Sequence, residues 1–340
     1  MLFSTSIFRI GTLLVTASVA NAAYTLQDDY SAGNFFQEFD FYDGADPTNG
    51  FVQYQSAVEA NAAGLAGFVG SSVYLGVDYR TNNPSAGRPS VRVTSKKAYT
   101  KGLFIADIAH MPVGCGVWPA MWMFGPNWPS SGEIDIIEGV NSQSTNAITL
   151  HTSAGCSISN TGSLASTKLT TTDGNCNSGN GNIGCGQSTS DTNNYGAGLN
   201  SIGGGVYAVE WTSTGISVWF FPRGSAQASA LSGNSTAGAG VDTSAFGQPL
   251  ATFVGGSGCN IDEHFMNHNL VFNTDFCGDW AGQVWSQDAT CSSLAATCND
   301  YVANNPRAFV EAYWLINSVK VYQDAGLPAK RDRVMRSFIA

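Results

Sequence analysis

Three carboxylates in six residues stand at Gly132-Glu133-Ile134-Asp135-Ile136-Ile137-Glu138-Gly139, separated only by isoleucines. Like charges this close repel, so the run is costly unless something uses it. On a β-strand, Glu133 and Asp135 project from one face while Ile134 and Ile136 project from the other. Glu138, five residues after Glu133, would fall on the isoleucine face of a regular strand, where a lone carboxylate is strongly penalised. A β-bulge in which Ile136 and Ile137 together oppose one partner residue returns Glu138 to the face of the other two, and bulges recur beside active sites. Paired carboxyl groups on one rigid face suit glycoside hydrolysis, one as nucleophile or base and the other as general acid. A charged edge strand that resists aggregation would need no such spacing and usually favours lysine.

The neighbouring strands must share this parity. In Trp118-Pro-Ala-Met-Trp122-Met-Phe124, the residues Trp118, Ala120, Trp122 and Phe124 share one face and Met121 and Met123 the other. Downstream, a polar turn over Gly139 to Asn146 returns the chain through Ala147 to His151. That register pairs Ala147 with Glu138, Thr149 with Asp135 and His151 with Glu133, leaving Ile148 and Leu150 on the core face. His151 is then placed to orient a carboxylate or touch substrate. Trp122 and Trp128, close to the acidic run, are expected sugar-stacking platforms, with Trp118 a weaker third.

These residues also carry a resemblance. Glu133-x-Asp135-x-x-Glu138, with Trp118 to Trp122, Gly125-Pro-Asn-Trp128-Pro and Leu150-His151-Thr152 around it, resembles glycoside hydrolase family sixteen, in particular the fungal laminarinase-like β-glucanases. The likeness runs from about Tyr24 to Tyr322. It implies an all-β fold, a two-sheet antiparallel jelly-roll sandwich with a curved substrate cleft. It also implies a retaining mechanism with Glu133 as nucleophile, Glu138 as acid/base and Asp135 assisting, no catalytic metal or other cofactor, and Trp280 near the cleft. The implied substrate is β-1,3-glucan or mixed β-1,3/1,4-glucan. Glycosyl transfer to a sugar, or a non-catalytic glucan-binding lectin on the same sandwich, are the competing readings.

The rest of the 340 residues is consistent with an exported enzyme. Residues 1–22 read as a signal peptide, with Arg9 as its only charge, an apolar run from Ile10 to Val19 and small residues at Ala20-Asn21-Ala22. The apolar run is too short to span a membrane. One catalytic domain is expected over 23–325, followed by a basic tail at 326–340 that is disordered or trimmed. Between Ala23 and Ala329 there are 24 acidic and 10 basic residues, a net charge of −14 that argues against nucleic-acid or anionic-membrane partners. A monomer acting on a neutral polymer fits better.

The even number of cysteines, eight, in an exported chain predicts disulfides, with Cys176–Cys185 and Cys291–Cys298 the tempting pairs by proximity. A zinc site is disfavoured, since there is no Cys-x-x-Cys and the four histidines lie away from the cysteines. Ser153 to Gly205, rich in Gly, Ser, Thr and Asn, reads as a disulfide-pinned insertion on the cleft rim, with Tyr195 to Gly198 a contact region. Alternating runs at 51–55, 72–77, 90–94, 103–109, 205–212, 215–221, 270–273 and 309–321 read as strands. The one persuasive helix is Ser292 to Val302, and Asn234-Ser-Thr is the glycosylation sequon.

Overall fold

A computed structural model describes residues 24–158, 168–169, 174–179, 181–232 and 240–324. The signal peptide, the basic tail and Asn234 lie outside the described residues. The chain forms two packed antiparallel sheets of eight strands each. The site-bearing sheet runs in the order Lys168–Leu169, Cys185–Ser188, Ala147–His151, Glu133–Glu138, Val117–Phe124, His268–Phe276, Arg92–Tyr99 and Phe39–Phe41. The acidic strand is therefore central, with a hydrogen-bonded neighbour on each side. The opposing sheet runs Ala251–Val254, Gly215–Pro222, Gly205–Trp211, Gly102–His110, Trp314–Asp324, Ser72–Leu75 and Ala66–Val69, with Tyr24–Ser31 also paired to Trp314–Asp324. A short parallel pair, Val52–Tyr54 with Arg88–Ser90, stands apart.

The core lies between the sheets and follows the period of two expected of half-buried strands. Met121, Met123, Ile134, Ile148, Leu150, Leu270 and Phe272 from the site-bearing sheet meet Phe104, Ile108, Tyr207, Val209, Ile216 and Ile316 from the other. Ile136 and Ile137 are both fully buried, as expected where two consecutive residues of a bulge oppose one partner. In the aromatic run at the start, Phe35 and Phe39 are core, while Phe36 and Phe41 are only partly buried against it.

Two expectations need correction. The stretch expected as one helix is broken: Ala289–Ser292 is one helical turn, and Cys298–Asn304 is a second helix. The Thr297 hydroxyl accepts from the Asp300 N–H, so the sequence carries a new N-cap where continuous helix was expected. Cys291 and Cys298 consequently sit on different helices and do not pair. The bridges are Cys115–Cys291, Cys156–Cys259, Cys176–Cys185 and Cys277–Cys298, which includes one of the two tempting pairs. Cys115–Cys291 and Cys277–Cys298 tie the helical segment to the ends of two strands of the site-bearing sheet. The insertion after Ser153 is pinned through Cys156–Cys259 and Cys176–Cys185, and its Cys185–Ser188 stretch extends that sheet beside Ala147–His151.

Candidate active site

The bulge is where parity requires it. Asp135 pairs with Trp122, Ile137 with Met121 and Glu138 with Ala120, so Ile136 is the unmatched residue. On the other side Glu133 pairs with His151, Ile134 with Leu150 and Asp135 with Thr149. Glu133, Asp135 and Glu138 thereby stand on the solvent-side face with Trp118, Trp122 and His151, and the isoleucines point inward. Gly132 precedes the run at φ +79°, and a Cβ there would lie 2.4 Å from the His264 carbonyl oxygen, so only glycine fits the entry to the strand.

Each carboxyl group has a different setting. The Trp118 indole N–H donates to Glu138 Oε1 at 2.8 Å. The Trp128 side chain acts on Glu133 and lowers its pKa. Asp135, only 2% exposed, has one oxygen with no hydrogen-bond partner, and that Oδ2 lies 3.4 Å from His151 Nε2. Burial raises all three pKa values. Glu133 is pushed up to about 8 by burial and then by the Glu138 charge, against the opposing pull of Trp128 and Arg92. Glu138 is pushed up to about 7 by burial, offset by Trp118. Asp135 is held well above the carboxylate range by burial and by the charges of Glu133 and Glu138. The three carboxyl groups titrate as one coupled set, so the order in which they lose protons belongs to the trio and not to single residues. His151 is pushed down to about 4 by burial and is uncharged at neutral pH.

The tryptophans divide by role. Trp128 is 45% exposed and is the open ring of the group. Trp122 is held by its indole N–H to Asn273 Oδ1 at 2.7 Å and carries Arg92 over its ring at 5.0 Å. Trp118 is half-buried, and Trp280 meets it edge-to-face with centroids 5.6 Å apart. All five residues named from sequence beside the carboxylates are thus linked to the trio or to its neighbouring strand. Tyr195 differs from expectation. It is buried rather than presented to a ligand, and a Cβ on Gly139 would sit 2.6 Å from its hydroxyl.

Sequence reasoning passed over Arg92 and Asn273. Both lie on the solvent-side face, paired with each other across adjacent strands. Parity held the signal: Arg92 separates the buried Val91 and Val93, so it must face outward. Its guanidinium is stacked between the Tyr42 and Trp122 rings, 5.0 Å from each centroid. Among the described residues, one cluster has metal-ligand types: Glu133, Asp135 and His151 offer atoms within 4.8 Å of one another. It coincides with the carboxyl trio.

Two sheets, a bulged strand carrying three carboxyl groups and flanking indoles define a glycoside hydrolase of the sandwich type. The family model for the XgeA-like, catalytic GH16 domain matches residues 39–322, and the chain belongs to that family. It is 42% identical over 333 residues to an endo-1,3(4)-beta-glucanase of Arthroderma benhamiae, covering 96% of this chain and 70% of that protein. It spans about half the length of most of the other fungal relatives it matches. Among solved structures, laminarinase 16A of Phanerochaete chrysosporium, with β-glucans in donor and acceptor sites, superposes with a TM-score of 0.81 at 42% identity, covering 89% of this chain and all of that one. A GH family 16 β-1,3-glucosyltransferase described as elongating gives 0.79 at 42% identity, covering 88% of this chain and all of that one.

Proposed function

We propose that the protein is a secreted, retaining endo-β-glucanase that cleaves β-1,3-glucan or mixed β-1,3/1,4-glucan by double displacement. The observation that carries this reading is the return of Glu138, by one bulge, to the face of Glu133 and Asp135. Retention calls for carboxyl groups roughly 5 to 5.5 Å apart, a spacing that neighbouring positions around a bulge can supply. The four bridges support an oxidising, extracellular setting, and the signal peptide, the 23–325 domain and the monomeric state belong to the same proposal.

Glu133 attacks the anomeric carbon and forms a glycosyl ester as the C–O bond to the departing sugar breaks. Glu138, protonated in its buried setting, gives its proton to the leaving oxygen. Formation of the ester removes the Glu133 charge, which lowers the Glu138 pKa and suits it to take a proton from the incoming water. Water attacks the same carbon from the face the leaving sugar vacated, and Glu133 departs as a carboxylate. Asp135 keeps its proton and shares it with Glu133, while neutral His151 stands beside Asp135 from the adjacent strand. Trp128, Trp122 and Trp280 offer stacking surface to sugar rings, with Trp118 acting chiefly as the donor to Glu138.

Reducing-sugar release from laminarin, lichenan, xyloglucan and agarose tests the reading. Release from the first two is expected. Silence on all four would favour a lectin, and products longer than the starting oligosaccharide would move the reading to glycosyl transfer.

A further inference from the structure

A bulge leaves backbone groups without their ladder partners, and here those groups adjoin the proposed acid/base. On the Ala147–His151 side the regular register is continuous only as far as Asp135 and Thr149. Beyond it, the C=O of Ile136 and the N–H of Glu138 are met by one side chain. Asn146 Nδ2 donates to the Ile136 carbonyl at 2.7 Å, and Asn146 Oδ1 accepts from the Glu138 N–H at 2.9 Å. These two partners also fix which amide atom is oxygen, since a carbonyl cannot donate and an N–H cannot accept. A carboxamide has the donor and acceptor of a peptide unit, so Asn146 substitutes for the missing stretch of neighbouring strand.

The clamp is itself anchored. Asn146 is fully buried, its N–H donates to Asn194 Oδ1 at 3.4 Å, and its Nδ2 lies 3.4 Å from the Tyr207 hydroxyl, which donates to the Asn194 carbonyl. Asn194 belongs to the insertion and Tyr207 to the opposing sheet, so three parts of the molecule fix the amide. Glu133 and Asp135 precede the bulge and are paired on both sides without it.

We infer that Asn146 is a positioning residue for Glu138, holding the bulge that aims the proposed proton donor while leaving Glu133 untouched. The inference rests on the role assigned to Glu138, and its consequence is selective. Loss of the clamp should harm only reactions that need a proton delivered to the leaving group.

The test compares Asn146→Ala and Asn146→Asp with wild type on laminarin and on a 2,4-dinitrophenyl β-laminaribioside, whose leaving group needs no protonation. The readout is kcat/KM, which covers steps up to departure of the leaving group. On laminarin it should fall roughly 10- to 100-fold, as about 1 Å of misplacement can cause. On the aryl substrate it should change by less than about 3-fold, because acid help is not used there. Equal losses on both substrates, or none on either, would overturn the inference. If wild type cleaves neither substrate, the proposed function fails instead. Should both variants fail to fold, hydrogen exchange in wild type decides: the Glu138 amide should be protected as strongly as the Ile134 amide, and exchange at the rate of a loop amide would refute the clamp.

Discussion

Asp107 and Asp135 are two buried carboxylates in opposing sheets, exposed by only 3% and 2%, and the fold treats them in opposite ways. Asp107, on the outer face of the second sheet, accepts from the Arg223 guanidinium and from Asn317 Nδ2 at 2.9 Å. Asp135 has no cationic partner among the described residues, one orphaned oxygen, and two glutamates for company. Burying a charge is tolerable when it is paired and hydrogen-bonded, as at Asp107. Where three carboxyl groups are buried together with indoles and a neutral histidine, burial and mutual repulsion raise their pKa values instead. The comparison teaches that the same residue type is structural or chemical according to what surrounds it.

The largest expected effect separates these two settings by activity. Glu133→Ala and Glu138→Ala should each reduce laminarin hydrolysis by more than roughly 10⁴-fold, since each removes one half of a cooperating pair. Asp107→Asn should leave the folded enzyme's kcat/KM within about 3-fold, because a carboxylate remote from the proposed chemistry has no transition-state role. It should instead lower stability by roughly 1–3 kcal/mol in urea unfolding, the cost of breaking a partly buried ion pair. A large activity loss in Asp107→Asn with intact stability would break the comparison.

Glu138→Gln sharpens it from the stability side. Glu138 rises from an ordinary 4.5 to about 7 in the fold, so the native state binds more protons than the unfolded chain between those values. Stability from this group therefore falls as pH rises from about 4.5 to 7. Removing the charge should stabilise the protein by roughly 1–3 kcal/mol at pH 8 and by little near pH 4. His151 and His268 oppose this trend at the acid end. Both fall from 6.5 to about 4 through burial, so native stability is lost as pH drops from 6.5 towards 4. Urea midpoints measured across pH for wild type and Glu138→Gln should diverge only on the alkaline side, and parallel curves would contradict the link.

The smallest effect belongs to Trp128. Trp128→Ala should raise KM by about 3- to 10-fold, the share of an exposed stacking ring. Its side chain also lowers the Glu133 pKa, so the acid limb of the kcat/KM profile should move to higher pH in the variant. An unchanged limb would place Trp128 outside the trio's electrostatics.

Much of this arrangement was legible because a strand has a period of two and any break in it must be repaired. Glu138, misplaced by one residue, forecast the bulge, and with it the inward Ile137 and the facing His151. The strands were legible from the alternating runs, and the two-sheet arrangement from the resemblance carried by the acidic run and the tryptophans around it. What stayed hidden depends on contacts between distant segments. Asn146 sits in a polar turn, and nothing local says that its amide replaces a strand. Arg92 was marked by parity alone, and the Tyr42 and Trp122 rings around it come from elsewhere in the chain. The Cys291 and Cys298 pairing misled because proximity in sequence was not opposed by any visible break, and Thr297 supplied the break through a local cap.

The central claim is that Glu133 attacks and Glu138 manages the proton, and azide rescue of the two alanine variants tests it most directly. With a dinitrophenyl glycoside, azide should occupy the space vacated in Glu133→Ala and displace the leaving group in one inversion, giving the α-glycosyl azide. In Glu138→Ala the Glu133 ester still forms, azide resolves it, and two inversions give the β-glycosyl azide. Opposite anomers from the two variants are the predicted result. The same anomer from both, or the two anomers exchanged, would contradict the assignment.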